Sequence, residues 1–255
     1  MHIALWQILL LSAYAFIAQP DALSLQLSIG FPLMSGFFTG LVLGNVQMGL
    51  TVGATLQLMV LGVNTYGGAT VPDFMSAAIM GTAFAIISGQ DVEFAIGIAL
   101  PIGLLLTQLD ILTRMINVYF LHKAGRYADE GDADGVSRMN ILGIIPWGLS
   151  RALPVFLGLY FGNEVVSAIT NYLPQWLMGG LKVAGGILPA MGIAILMRYL
   201  PLKKFYPFMI IGFVLAAYLK MSLIGIALIG FAIAAAYLYL KNDLKAQSEG
   251  GDIDD

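Results

Sequence analysis

The 255-residue chain contains no cysteine. That absence excludes disulfides, thiolate metal sites and a cysteine nucleophile or phosphoryl carrier. Histidine occurs only as His2 and His122, which leaves no histidine-based metal cluster and no imidazole carrier inside an apolar cavity. Charge is scarce as well. No Asp, Glu, Lys or Arg stands between Ala22 and Pro72, and no Lys or Arg precedes Arg114. Charged residues make up 11% of the chain and hydrophobic ones 59%, against about 25% charged in an ordinary soluble domain. With a mean hydropathy of +0.86, no basic surface for nucleic acid is available, and the sequence reads as an all-α, polytopic integral membrane protein. Its length accommodates about eight to ten segments. Residues 1–245 form the membrane domain of this reading, and residues 246–255 an acidic, disordered tail.

What charge there is helps to order the segments. The apolar run Ile3 to Ile17 lacks a basic flank and reads as a retained first helix rather than a secretion signal, despite Ala13-Tyr14-Ala15. His122 to Arg138 carries seven charges and reads as the one substantial loop, solvated and including His122. Downstream, Phe208–Leu219 and Leu223–Leu240 form a hairpin turned at Lys220, with Lys203-Lys204 and Lys241 with Lys245 at its ends. The positive-inside rule puts those ends in the cytoplasm. Between these landmarks lie Ile141–Phe161, interrupted by Arg151, then Val165–Leu181 and Val183–Leu200. The middle one, with Asn171, Pro174, Gln175 and Trp176, reads as interfacial or re-entrant. Six prolines (Pro32, Pro72, Pro101, Pro146, Pro154 and Pro189) sit in or at the ends of apolar runs. Each removes a backbone donor away from a first turn, so broken or re-entrant helices, the kind that line transporter cavities, are expected.

The uncharged stretch is not apolar throughout. Gln26, Asn45, Gln47, Gln57 and Asn64 lie within it, and in hydrocarbon each amide requires a helix partner or a polar ligand. Gly40 and Gly44, then Gly49, Gly53 and Gln57, recur at intervals of four, so each set lines one helix face and lets another backbone approach. This pattern is compatible with a plain small-residue interface or with a polar site built on one. Asn45 and Gln47 fall where they would cap a turn. Asp73, after Pro72 and before the run Phe74 to Ile87, falls at a helix N-cap. Gln108, Asp110, Arg114 and Asn117 form a second polar set, in which Asp110 and Arg114 stand one turn apart and can pair. Trp6, Trp147 and Trp176 suit interface anchors.

The run Gly40-x3-Gly44-Asn45-x3-Gly49-x3-Gly53-x3-Gln57, followed by Leu61-Gly62, the Asn64 to Gly68 turn and Pro72-Asp73, resembles the IIC subunit of the mannose/fructose/sorbose family of the phosphotransferase system. Pro101 to Arg114, His122 to Asp132, Leu173 to Gly192 with Ala184-Gly185-Gly186, and Phe205 to Ala217 extend the likeness over nearly the whole membrane region. The resemblance implies a sugar permease in the bacterial inner membrane. It implies a second membrane subunit, IID, cytoplasmic IIA and IIB carriers that pass phosphate from phosphoenolpyruvate, and a multimer of IIC-IID pairs. Carried over position by position, it makes Gln57, Asn64, Thr65 and Asp73 the sugar contacts, with Asn45, Gln108, Asp110 and Arg114 around them. Amides and carboxylates suit adjacent hydroxyls that both donate and accept.

Without cysteine or a membrane histidine the chain offers no phosphoryl carrier, so the phosphoryl chemistry is expected of its partners, with no catalytic residue, metal or cofactor in this chain. Gly53-Ala54 where relatives often have Gly-Gly, Gln57 where they often have Glu, and Phe31 where some carry a basic residue are departures that bear on which sugar is carried. The Leu173 to Gly192 stretch looks closest to branches handling galactosamine-type sugars. Two other classes remain open to the sequence. One is a standalone ion-coupled secondary transporter using Asp73 or Asp110; the other is a membrane assembly subunit without transport.

Overall fold

In the computed structural model, the residues described are 3–61, 71–162, 164 and 175–249, with some side chains in 175–189 and 242–249, and that of Leu223, left aside. Those residues are almost entirely helical. The chain divides into two compact units, Met1–Leu196 and Met197–Asp255.

The first unit opens with α1 (Leu5–Leu23), α2 (Pro32–Leu43), α3 (Val46–Val60) and α4 (Phe74–Ser88). Then come the long α5 (Val92–Asp129) and α6 (Ala133–Tyr160), and α7 (Gln175–Tyr199), whose last turn passes the unit boundary. At 1.5 Å per residue, α2, α3 and α4 reach only about 18 to 23 Å, short of a hydrocarbon core of ~30 Å. These part-length helices supply the interruptions expected of the fold. The prolines do not: Pro101, Pro146 and Pro154 lie inside continuous helices, and Pro32 occupies the first turn of α2, where its missing N–H is not needed.

The α2–α3 pair turns on two residues. Gly44 ends α2 with φ +81°, and Asn45 begins α3 by accepting Met48 N–H on its Oδ1 at 3.0 Å. The two helices then run antiparallel with their backbones in contact: a Cβ on Gly36 would stand 2.8 Å from Gly53 Cα, and one on Gly49 2.8 Å from Gly40 Cα. Gly36, Gly40, Gly49 and Gly53 thus form one seam. Gly44, expected on the packing face, has nothing near it and serves the turn instead.

Helix α4 is buried on all sides from Met75 to Ala85, as a helix apolar all round must be. It packs on α5 and α2, while α6 packs on both α1 and α5. Ile79, Ala83 and Phe84 of α4, Leu11 and Ala15 of α1, Val52 and Leu56 of α3 and Val155 of α6 form the centre of the core. Many hydroxyls in these helices are satisfied locally. Ser12, Thr39, Thr51, Thr55, Ser88, Thr107 and Thr113 each donate to the carbonyl four residues earlier. The buried Asp21 carboxylate accepts Leu27 N–H at 2.8 Å and Ile29 N–H at 3.0 Å, holding a loop in which Gln26 and Ser28 adopt positive φ.

Two expected boundaries move. The stretch from His122 to Arg138 is not a loop, because α5 continues through His122 to Asp129 and α6 starts at Ala133. Only residues 130–132 turn, with Gly131 at φ +75° and Asp132 capping α6 through Gly135 N–H at 2.9 Å. Polarity there marks a helical hairpin that has left the lipid rather than a break in structure. At 38 residues α5 is about 57 Å long, far beyond what a bilayer core requires. Similarly, α7 runs unbroken from Gln175 to Tyr199, so no segment boundary falls between Leu181 and Val183. Gly179 and Gly180 are tolerated within it, and Asn171 and Pro174 lie outside the described residues.

The second unit is the expected hairpin, α8 (Leu202–Ala217) and α9 (Leu223–Glu249), with Lys220 at φ +50° in its turn. Phe205 and Phe208 meet Tyr237 edge-on at 6.2 and 6.4 Å. Phe205 is itself non-helical, kinking α8 just ahead of Pro207. Helix α9 reaches Glu249, past the boundary expected at 245, and residues 250–255 are outside the description.

Candidate functional site

The described part of the site is a charge cluster at the N-terminus of α4. Asp73 is fixed there by backbone and side chain together. Its N–H donates to Gly103 C=O of α5 at 3.1 Å, and its Oδ1 accepts Ser76 N–H at 3.3 Å, the N-cap bond. Gly103 permits this approach, since a Cβ there would sit 3.0 Å from Asp73 O. The remaining oxygen, Oδ2, lies 2.8 Å from Arg151 Nε, with both side chains over nine-tenths buried. That N–H is not aimed at the oxygen, so the contact is chiefly Coulombic and leaves Oδ2 without an aligned hydrogen bond.

Arg151, in the middle of α6, reaches two further groups on α5. Its Nη2 donates to Asp110 Oδ1 at 2.9 Å and its Nη1 to Leu106 C=O at 3.4 Å. Asp110 Oδ2 takes Arg114 Nε and Nη2, both at 3.1 Å. Arg114 is half-exposed and its guanidinium stacks over Trp147, 5.6 Å from the ring centre. Two carboxylates and two guanidiniums therefore form a neutral chain from α4 through α6 to α5. Neutrality and close geometry are what make buried charges tolerable in lipid.

Asp73, Asp110 and Arg114 are thus brought together by Arg151, which in the sequence is only an interruption of an apolar run. Arg151 stands 41 residues from Asp110. A lone arginine inside the apolar run Ile141 to Phe161 was the available signal, because an intramembrane cation demands a partner. Gln108 is exposed on α5, outside the cluster. Asn117 is also separate, donating to Thr113 C=O at 3.1 Å. Asn45 is the cap of α3, away from the charges.

Gln57 lies half-buried near the end of α3, two turns beyond Gly49 on the glycine seam. Its Oε1 is enclosed and has no hydrogen-bond partner among the described residues. An amide oxygen in that condition costs about 1 to 3 kcal/mol. Ser76 Oγ and Thr82 Oγ1 on α4 are enclosed and unpartnered in the same sense. Asn64 and Thr65 fall between Gln57 and Asp73 in sequence, outside the described residues. No group of three or more His, Asp or Glu residues suited to a metal occurs among the described residues.

Part-length helices packed through glycine, a neutral buried charge chain and an enclosed unpartnered amide define a polytopic helical membrane protein with a polar site in its interior. Comparison with known proteins narrows the class. Residues 5–236 match the family model described as "PTS system sorbose-specific iic component". N-acetylgalactosamine permease IIC component 1 of Escherichia coli K12 is 33% identical over 236 residues, 92% of this chain and 88% of that protein. The mannose-specific EIIC component of the same organism is 30% identical over 94% of this chain and 91% of that one. A chain of the mannose transporter ManYZ, solved by cryo-electron microscopy in complex with microcin E492, superimposes with a TM-score of 0.60 at 28% identity, covering 94% of this chain and 97% of that one. The chain belongs to the sorbose-type IIC family of the phosphotransferase system. It is a sugar permease component and a multi-pass protein of the bacterial inner membrane.

Proposed function

We propose that this chain pairs with a IID membrane subunit to form the path by which a hexose or amino sugar reaches a cytoplasmic IIB carrier, itself charged by IIA, with IIC-IID pairs assembled as multimers. Gln57, Asn64, Thr65 and Asp73 contact the sugar, and Asp110 and Arg114 support that region, while Asn45 at its helix cap and the exposed Gln108 drop out of the expected set. The observation that carries the site is Gln57 Oε1, enclosed and unpartnered at the edge of the glycine seam. A sugar hydroxyl would satisfy it. Asp73 uses one lone-pair direction for its cap and has capacity left on Oδ2, as a carboxylate offers about four acceptor positions.

The ion-coupled alternative needs a carboxylate free to exchange its cation. Asp73 and Asp110 are both held by arginine, which favours the phosphotransferase reading. The relatives point to an acetylated amino sugar, mannose, sorbose or fructose as the solutes to try. The test is phosphoenolpyruvate-dependent uptake of these four labelled sugars in cells carrying Gln57→Ala or Asp73→Ala, with co-purification of IID as the assembly control. Uptake should fall at least tenfold while IID still co-purifies. Unchanged uptake in both variants would move the site elsewhere.

A further inference from the structure

The Arg151 guanidinium is used in three directions: Nε toward Asp73, Nη2 to Asp110 and Nη1 to Leu106 C=O. A group present only to neutralise one buried acid would need one contact. The better-made bond is the one to Asp110, aligned at 2.9 Å, whereas the contact with Asp73 is close but unaligned. Asp110 therefore clamps the guanidinium, and the clamped guanidinium sets where Asp73 Oδ2 lies, while the cap to Ser76 N–H holds Oδ1. The same end of α4 is tied to α5 through Asp73 N–H and Gly103 C=O, so Arg151 adds α6 as the third support.

We propose that Arg151 is a positioning residue for sugar transport, which acts by holding the Asp73 carboxylate in a fixed orientation from an anchor on Asp110. The proposal rests on the reading that Asp73 contacts the sugar. Shape is what matters here. A lysine carries the same charge but offers one compact ammonium, and it cannot bridge Asp73 and Asp110 as a planar fork does. A role limited to neutralising charge would be kept by lysine, and a positioning role would not.

The experiment is initial-rate uptake across sugar concentrations in cells expressing the whole complex, with the amount of inserted chain measured for each variant. The probe is whichever of mannose, fructose, sorbose and N-acetylgalactosamine the unaltered complex carries. Arg151→Lys should insert normally and raise KM roughly tenfold or more, with the maximal rate within about twofold, as expected when a charged hydrogen bond to the ligand is misplaced. An unchanged KM at normal abundance overturns the proposal. Should Arg151→Lys fail to accumulate, Asp110→Ala decides, because it leaves Arg151 facing Asp73 and takes away the carboxylate that anchors Nη2 and pairs with the half-exposed Arg114. A raised KM in that variant supports positioning, and an unchanged one overturns it. Asp73→Asn separates the two levels: wild-type KM there defeats the sugar-site reading of Asp73 itself. A raised KM there without one in Arg151→Lys defeats only the role given to Arg151.

Discussion

Gly49→Leu puts the most direct load on the fold that carries the site. A Cβ at residue 49 would lie 2.8 Å from Gly40 Cα and 2.9 Å from Gly40 N, and would also run into Gly36 O. All three are backbone atoms, so no side chain can swing away. Carbon contacts settle near 3.5 to 4.0 Å, and α2 and α3 must part by about 1 Å for the first methyl alone. Overpacking of this kind costs about 1 to 3 kcal/mol, and the two-residue turn at Gly44-Asn45 leaves little slack to absorb it. Gln57, two turns along the same face, shifts with α3. A misaligned hydrogen bond of about 0.5 to 1.5 kcal/mol raises KM about two- to twelvefold. Thermal unfolding of the detergent-purified complex, followed by tryptophan fluorescence, measures the first effect and concentration-dependent uptake the second. Gly44→Ala is the control: it meets open space and should lose only about 1 kcal/mol for its left-handed backbone. If Gly49→Leu melts and transports like the unaltered protein, the backbone-contact reasoning is wrong.

Three further outcomes are expected. Gly125→Ala, in open space within α5, should stabilise by about 0.5 to 1 kcal/mol, seen as a raised melting temperature with normal uptake. Asp132→Ala removes the cap of α6 at Gly135 N–H and should cost about 1 kcal/mol in the same melting assay. Arg151→Met strands the buried Asp73 carboxylate, leaves Asp110 to Arg114 alone, and should cost about 3 to 5 kcal/mol, measured as loss of inserted chain. Abundance should return when Asp73→Asn and Asp110→Asn are added to it.

Local signals were the ones the sequence expressed. Asp73 as an N-cap, Asn45 at its turn, the Asp110–Arg114 pair and the glycine faces all depend on residues within a few positions of each other, where helical geometry fixes who meets whom. The family resemblance added the permease role, which composition alone left among three classes. Arg151 escaped because its partners on α4 and α5 become neighbours only when three helices pack. Gly36 belongs to the seam and continues the interval of four, although the expected faces begin at Gly40. The hairpin from His122 to Arg138 reads as a loop for a different reason: charge reports solvent, and a helix that leaves the lipid keeps its hydrogen bonds. The boundary expected between Leu181 and Val183 is absent because α7 continues through Gly179 and Gly180, and a bilayer tolerates glycine inside helices.

A seam made of four glycines has a thermodynamic character of its own. Glycine has no rotamers, so bringing α2 against α3 freezes no side chain, whereas a leucine or methionine at the same contact would surrender about 0.5 to 2 kcal/mol of rotational freedom. In lipid no expelled water drives the two helices together, and their cohesion rests on backbone atoms in van der Waals reach. Such a joint keeps its register through backbone contact and through the short turn at Gly44-Asn45 that ties the two helices together. The segment carrying Gln57 is therefore a single plank rather than two sliding rails, and any motion that carries sugar across the membrane must move α2 and α3 as one piece.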